Sequence, residues 1–379
     1  MRKHKLNSTE KRISDISSEY WNYYDILTRL PNMSYFLTLA DKHWRDAAKK
    51  KAVPVMLCFN LNRMKTFNNR YGVDEGTHLL TIFADILRQI FGNGATARFG
   101  EDSFYAFTEI SDDPEAQVLT VFNEMENANE GRSLPVRAGM FIDRNGDTEP
   151  STACDWAKIA CDSDRDNYAS HLSYFDETMM ERVFDQEYVL HHFNTALKER
   201  WIQVYYHPIV RLLTGEICEE EALTRWIDPI QGVIPPGRFL PILEDAKLLY
   251  KVDLYMADRI LEDMKTKRDA GLRIVPVSLN VSRYDFECCD MVSEIVIRTK
   301  EAGIDPKFLN IEITETVMGM DENFLKEQIR LLHEEGFQVW MDDFGSGYSS
   351  LNILQEFDFD LVKLDMRFLT GVGKISGAR

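Results

Sequence analysis

The chain has 379 residues, and 44% of them are hydrophobic, which is enough to build the cores of two domains. Its 62 acidic and 44 basic residues give a formal net charge of −18, which argues against a protein that holds nucleic acid over a broad basic surface. No apolar run approaches the roughly 20 residues that span a bilayer, so we expect no membrane segment and a cytoplasmic location.

The first half of the chain has the pattern of an α/β domain over residues 23–178, preceded by a leading helix or linker at residues 1–22. The segment from Val53 to Asn62 has the continuous apolar content of a buried strand. Further on, the run ARFGEDSFYAF predicts a hairpin with Gly100 at its turn. A connecting helix is predicted over residues 179–202.

This half resembles a GGDEF domain, the α/β fold of diguanylate cyclases, with a cyclase-like central sheet. The family's DxLTGLPNR opening corresponds to the residues from Asp25 to Met33, and its DxDxFKxxND segment to those from Asn60 to Asn69. The GGDEF signature itself falls on the run that begins at Phe99. The resemblance places a degenerate cyclase site at Asn60, Asn68, Phe99, Gly100, Glu101 and Asp102.

The chemistry of this site departs from the family pattern. Asn60 and Asn62 are amides where the family has carboxylates, so they carry no charge to neutralise a bound cation. Phe99 replaces a glycine that lets the turn approach the nucleotide, and we expect its ring to obstruct that approach. The expected outcome is a folded, non-catalytic regulatory or dimerising domain. The alternative is residual GTP binding, with Asn68 and Glu101 among its contacts.

In the second half, each of several apolar strands is followed by a polar residue able to bind a metal or an anion. These residues are Glu221, Asn280, Glu312, Asp342 and Lys363. Their spacing suits consecutive βα units and predicts a (β/α) barrel over residues 203–379, with these side chains at the mouth where the strand ends converge. Alone, Asp342 and Asp343 before a glycine loop fit an Asp-rich turn as well as a functional strand end. The repetition favours the second interpretation.

These strands resemble those of an EAL domain, the barrel of cyclic di-GMP phosphodiesterases. The family's YYQPIV strand corresponds to the residues from Tyr205 to Val210, with His207 in place of glutamine. The naming motif is intact at Glu221-Ala222-Leu223. The family's NxS, ExTE, DDFGTGYSSL and DxxKxD motifs fall at Asn280, at Glu312 and Glu315, at Asp342 and Asp343, and at Lys363 and Asp365.

The resemblance implies a role for each matched residue around two Mg²⁺ or Mn²⁺ ions, which prefer such oxygen ligands. The implied metal ligands are Glu221, Asn280, Glu312, Asp342 and Asp343. The implied catalytic residues are Lys363, Asp343 and Glu315. Of these, Lys363 would position the attacking water and Glu315 would orient the metal-binding loop. The implied substrate contacts are Arg225, Leu223 and Asp365.

The family's later strands, with an EGVE glutamate and a QGY glutamine, do not follow the strand that carries Lys363. We therefore expect a barrel without its last strands. For such a barrel by itself, the sequence leaves open both hydrolysis and weak binding of cyclic di-GMP or metal without hydrolysis. Two functions remain open for the parent protein. One is a cyclic di-GMP phosphodiesterase that forms linear pGpG under regulation by the GGDEF-like half, with pairing as a homodimer implied by the resemblance. The other is a non-catalytic cyclic di-GMP receptor or scaffold.

Overall fold

The computed structural model describes residues 22–163, 169–314, 321–344 and 356–365. The chain divides into two compact units, Met1–Val183 and Phe184–Arg379. The helix predicted within residues 1–22 lies outside the described residues, apart from residue 22. No described helix has both the length and the apolar content needed to cross a membrane.

The first unit is built on a mixed five-stranded sheet of order β2-β3-β1-β4-β5. The strands are β1 (Pro54–Leu61), β2 (Thr96–Gly100), β3 (Ser103–Glu109), β4 (Val136–Ile142) and β5 (His171–Tyr174). Strand β1 pairs antiparallel with β3 and β4, and β4 pairs parallel with β5. The predicted hairpin is confirmed, since β2 and β3 pair and Gly100 lies opposite Ser103 at the turn.

Within the described residues, five α-helices cover the two faces of this sheet. They are α1 (Met33–Lys50), α2 (Met64–Tyr71), α3 (Val73–Phe91), α4 (Pro114–Glu126) and α5 (Pro150–Asp162). Alternate residues of β1 supply the two cores: Phe59 packs with α3 and α4, whereas Met56 packs with α1 and α5. Asn32 caps α1 by accepting a hydrogen bond from the Tyr35 backbone N–H at 3.1 Å, as its place after a proline suggests.

The second unit contains a seven-stranded sheet of order β12-β11-β10-β9-β7-β6, with β8 paired to β7. Its strands are β6 (Ile202–Val210), β7 (Ile217–Asp228), β8 (Gly232–Ile234), β9 (Val277–Val281), β10 (Leu309–Thr314), β11 (Val339–Phe344) and β12 (Leu361–Leu364). The run from β7 through β9, β10 and β11 to β12 is parallel, as the βα spacing predicted. Strand β6 is antiparallel to β7, so an all-parallel barrel is not what the described strands form.

The helices that follow in the chain are α6 (Glu177–Lys198), α7 (Pro236–Asp245), α8 (Leu249–Asp269), α9 (Arg283–Cys288), α10 (Met291–Ala302) and α11 (Glu322–Glu334). One face of the second sheet packs on them through residues such as Ala222, Leu279, Ile311 and Val339. Because side chains alternate along a strand, the neighbours of these residues point to the opposite face. That opposite face carries the polar residues described next.

Candidate active site

Polar side chains of neighbouring parallel strands lie close together on the sheet face that points away from the helices. Asn280 of β9 lies opposite Glu312 of β10. Asp342 of β11 lies opposite Thr314, two residues beyond Glu312. Since residues two apart in a strand point to one face, the register brings Asn280, Glu312 and Asp342 to the same side.

Three carboxylates meet on this face. Glu221, Glu312 and Asp342 each offer one oxygen atom, and these atoms all lie within 4.8 Å of one another. Glu312 is fully buried, and within the described residues no hydrogen-bond donor reaches its Oε2 atom. Three acids at this separation repel one another, and a buried carboxylate is costly unless cations or donors offset its charge. The donor set therefore fits a hard divalent cation, and Asn280 adds an amide oxygen in the same row.

Lys363 of β12 supplies a positive charge to this cluster. Its ammonium contacts the carboxylate of Glu312 and lies 3.6 Å from that of Glu221. Its Nζ atom also lies 5.9 Å from the centre of the Trp340 ring. The predicted meeting of Lys363 with the acidic residues is therefore present in the structure.

The charges on these groups are set by burial and by one another. Burial raises the pKa of Glu312, and the contact with Lys363 only partly opposes the rise. Burial lowers the pKa of Lys363, but Glu312, Glu221 and Asp342 raise it by more, so its net pKa is above the ordinary value. Lys363 thus stays protonated beside the acids at neutral pH.

The other predicted site residues within the described part of the chain are Asp343, Leu223, Arg225 and Asp365. Asp343 is exposed, has a positive φ of 55°, and is not one of the three clustered acids. Leu223 and Arg225 are half-buried, and the Arg225 guanidinium lies 5.8 Å from the centre of the Tyr205 ring. Asp365 is half-buried, and its N–H donates to the Phe344 carbonyl at 3.1 Å.

Glu315, predicted to orient the metal-binding loop, lies outside the described residues. The sequence predicted that Glu221 lies at the end of its strand. This is wrong, because Glu221 lies in the first half of β7. The reason is that β7 pairs with β9 only at Glu220 and Glu221. Beyond them it continues alongside β6 and then pairs with β8.

Two buried polar residues beneath the acids, Glu219 and Asn310, were not predicted from the sequence. Glu219 of β7 is 7% exposed and accepts a hydrogen bond from the Asn310 side-chain amide of β10 at 2.8 Å. Burial, together with the charges of Glu312 and Glu221, raises the pKa of Glu219 to about 7. The signal was available, because Glu219 and Glu221 are two residues apart in a strand and so share a face.

In the first unit, the degenerate cyclase position Asn60 is already bonded within the protein. Its side-chain oxygen accepts a hydrogen bond from the Arg137 guanidinium at 2.8 Å. Arg137 lies directly opposite Asn60 across the pair of β1 and β4 and is largely buried. A guanidinium therefore lies beside the residue that the resemblance aligns with a metal-binding carboxylate.

The Phe99 ring is packed against other aromatic residues of the first unit. The ring stacks on Tyr105 with a centroid separation of 4.0 Å and meets Phe36 of α1 edge-on at 5.6 Å. It belongs to the hydrophobic cluster between the sheet and helices α1 and α5. The side chain points into this core because residues of β2 alternate between the two faces. Phe99 is a packing residue.

The other degenerate positions are held by local contacts. The carbonyl of Glu101 accepts hydrogen bonds from the Arg98 guanidinium, which also forms an ion pair with Asp25 at 3.1 Å. Glu101 is exposed, Gly100 has a positive φ of 128°, and Asp102 is half-buried. Near the start of α3, the Asn68 side chain packs over Gly76. A Cβ at Gly76 would lie 1.8 Å from the Asn68 Oδ1 atom, so a larger residue at this position would displace the Asn68 side chain.

Comparison with known families agrees with this division of the chain. Residues 22–143 match the family described as "Diguanylate cyclase, GGDEF domain". Residues 191–379 match the family described as "EAL domain".

Among curated relatives, the chain is 26% identical over 356 residues to the cyclic di-GMP phosphodiesterase NbdA of Pseudomonas aeruginosa, covering 92% of this chain and 46% of NbdA. It is 25% identical over 354 residues to the bifunctional diguanylate cyclase/cyclic di-GMP phosphodiesterase MucR of the same organism, covering 91% of this chain and 52% of MucR. The chain thus spans about half the length of these relatives.

Among solved structures, the PaMucR phosphodiesterase in complex with cyclic di-GMP is 29% identical, with a TM-score of 0.46. The match covers 50% of this chain and 76% of that structure. Family matches, motif positions and the two α/β units lead to one assignment. The chain is a tandem GGDEF–EAL protein, with the GGDEF domain first and the EAL domain second.

Proposed function

We propose that the EAL half binds cyclic di-GMP and hydrolyses one of its phosphodiester bonds to give linear pGpG. The observation that carries this proposal is the group formed by Glu221, Glu312, Asp342 and Lys363 on one face of the sheet. The names of the relatives NbdA and MucR support the substrate class.

The residues that would hold a divalent cation are Glu221, Glu312 and Asp342, with Asn280 as an amide ligand. Oxygen donors of this kind suit Mg²⁺ or Mn²⁺. When bound, such an ion polarises a phosphodiester and lowers the pKa of a nearby water. Asp343 lies outside the three-acid cluster, and we assign it to a second ion.

The chain's own cations would act on the phosphate. Lys363 holds a positive charge on the acidic face, where it would stabilise the charge that develops on the phosphoryl oxygens. Arg225 lies on the same face as Glu221, because the two are separated by an even number of strand positions. Its guanidinium suits a second phosphate oxygen. We assign Leu223, between them on that face, to contact with the substrate.

For the GGDEF half we propose a non-catalytic regulatory role. Asn60 offers a neutral amide and is bonded to Arg137, which leaves this position without the charge that a divalent cation needs. The cluster of acids in the EAL half favours hydrolysis over the alternative of a receptor, since binding alone does not need three clustered carboxylates.

The test is to incubate the protein with cyclic di-GMP and Mg²⁺ or Mn²⁺ and to follow linear pGpG by chromatography. The proposal predicts metal-dependent product that EDTA abolishes. Binding of cyclic di-GMP without product would favour the receptor. Neither binding nor product would contradict both.

A further inference from the structure

In the sheet that carries the acids, the pairing between β7 and β9 is short, and we call this strand pair the seam. Strands β9 and β10 pair over five positions, from Leu309 opposite Val277 to Ile313 opposite Val281. Strands β7 and β9 pair at only two positions, where Glu220 and Glu221 lie opposite Val277 and Ser278. The strand of Glu221 is therefore joined by few paired residues to the part of the sheet that carries Glu312 and Asp342.

One buried side-chain hydrogen bond crosses this seam. Asn310 of β10 donates from Nδ2 to Glu219 of β7 at 2.8 Å, and thus links two strands that have β9 between them. Glu219 is 7% exposed and Asn310 is 1% exposed, so water competes little for the bond. An ionised or strongly polarised acceptor makes such a bond stronger than a neutral pair.

The bond lies directly beneath the acids. Glu219 precedes Glu221 by two residues in β7, and Asn310 precedes Glu312 by two residues in β10. All four side chains thus point to the same face of the sheet. Asn310 and Glu221 also flank the buried Ser278 of β9 on its two sides.

We propose that Glu219 and Asn310 are a positioning pair, whose hydrogen bond fixes Glu221 against Glu312 across the weak seam and so preorganises the cation site. Neither residue is assigned to contact the ion or the substrate. The inference rests on the metal site of the proposed function. Partners that orient metal ligands typically change metal affinity about 10- to 100-fold when they are removed.

The experiment is calorimetric titration of the whole protein with Mn²⁺ in the absence of nucleotide. Glu219→Leu and Asn310→Leu each break the bond, and each should weaken Mn²⁺ binding about tenfold or more. The double variant should bind Mn²⁺ as tightly as the single variant that has the lower affinity. The reason is that both changes remove the same interaction. Thermal unfolding of each variant checks that the protein is folded.

Two further variants separate positioning from charge and from general strand damage. Glu219→Gln keeps an oxygen that can accept from Asn310 and should hold Mn²⁺ within about threefold of the unmodified protein. Glu220→Leu removes the neighbouring carboxylate, which points to the helices and pairs with Lys267 at 3.0 Å, and should leave Mn²⁺ affinity unchanged.

The outcomes are distinct. If the unmodified protein binds Mn²⁺ and the two leucine variants at positions 219 and 310 bind it equally well, this inference fails and the proposed function stands. A loss in Glu219→Gln as large as in Glu219→Leu would also overturn it, because charge and not the hydrogen bond would then be responsible. Absence of Mn²⁺ binding to the unmodified protein would overturn both proposals.

Discussion

Lys363 at the end of the second sheet forms an ion pair with the fully buried Glu312 two strands away. The same ammonium lies 3.6 Å from Glu221, so it faces two of the three acids that would bind a cation. Lys363 thus acts as an internal counter-ion for the acidic face. Replacing Lys363 by a neutral residue tests this role, because the stability of the metal-free protein and its affinity for a metal ion can be measured separately.

The variant Lys363→Met should lower the stability of the metal-free protein and raise its affinity for Mn²⁺. Removing Lys363 leaves Glu312 buried without its counter-ion, which should lower the free energy of unfolding by roughly 3 kcal/mol. This value is at the lower end for broken buried ion pairs because Lys363 is partly exposed. Loss of one positive charge beside the site should strengthen Mn²⁺ binding about tenfold. Urea unfolding without metal and calorimetric titration with Mn²⁺ measure the two effects.

Lys267→Met is the matched control, since it removes a lysine that pairs with Glu220 on the opposite face of β7. It should leave Mn²⁺ affinity unchanged. Equal Mn²⁺ affinity in Lys363→Met and the unmodified protein would show that Lys363 does not balance the charge of the acids.

A second prediction concerns pH and the buried acids Asp253 of α8 and Asp285 of α9. Burial raises the pKa of Asp253 well above its ordinary value, and the charge of Asp285 adds to the rise. Burial also raises the pKa of Asp285. The folded state therefore holds protons that the unfolded state releases above about pH 4, so this contribution to stability is present in acid and is lost as pH rises. Glu244 of α7 adds to the local negative charge.

The variant Asp285→Asn should flatten this dependence. An asparagine can still accept the hydrogen bond that Asp285 takes from the Ser282 N–H, but it cannot ionise. We expect its free energy of unfolding to exceed that of the unmodified protein by about 1–2 kcal/mol at pH 8 and to match it near pH 4. Urea unfolding at both values measures this. The exposed Asp245→Asn is the control, and an unchanged pH profile in Asp285→Asn would contradict the account.

The third prediction is that restoring the GGDEF signature at one position destabilises the first unit. Phe99→Gly removes a ring packed on Tyr105 and Phe36 and adds backbone freedom to β2. The combined cost should be about 3 kcal/mol. Thermal unfolding measures it against Tyr71→Ala, in which the lost ring is 40% exposed. An unfolding temperature in Phe99→Gly equal to that of Tyr71→Ala would contradict the packing role.

Much of the fold could be predicted because it depends on local patterns. The alternation in β2 and β3 predicted the hairpin at Gly100, and the apolar runs that end near Glu312 and Asp342 predicted parallel strands whose polar residues meet. The number of residues between successive strand ends indicates βα units, and this number can be counted directly in a sequence.

What could not be predicted depends on register and on which face a side chain takes. The position of Glu221 within β7 follows from where that strand leaves β9, which no local pattern specifies. Glu219, one of three successive glutamates, was assigned no role from the sequence, yet it is buried and bonded to Asn310, which is far away in the chain. The inward direction of the Phe99 ring likewise required the packing of α1.

The most direct measurement is hydrolysis of cyclic di-GMP with Mn²⁺ by Glu221→Ala beside Glu220→Ala. The two residues are adjacent in β7 but point to opposite faces, one to the acidic cluster and one to Lys267. We predict that Glu221→Ala abolishes formation of linear pGpG and that Glu220→Ala retains it. Turnover by Glu221→Ala at the rate of the unmodified protein would contradict the assignment of the metal site.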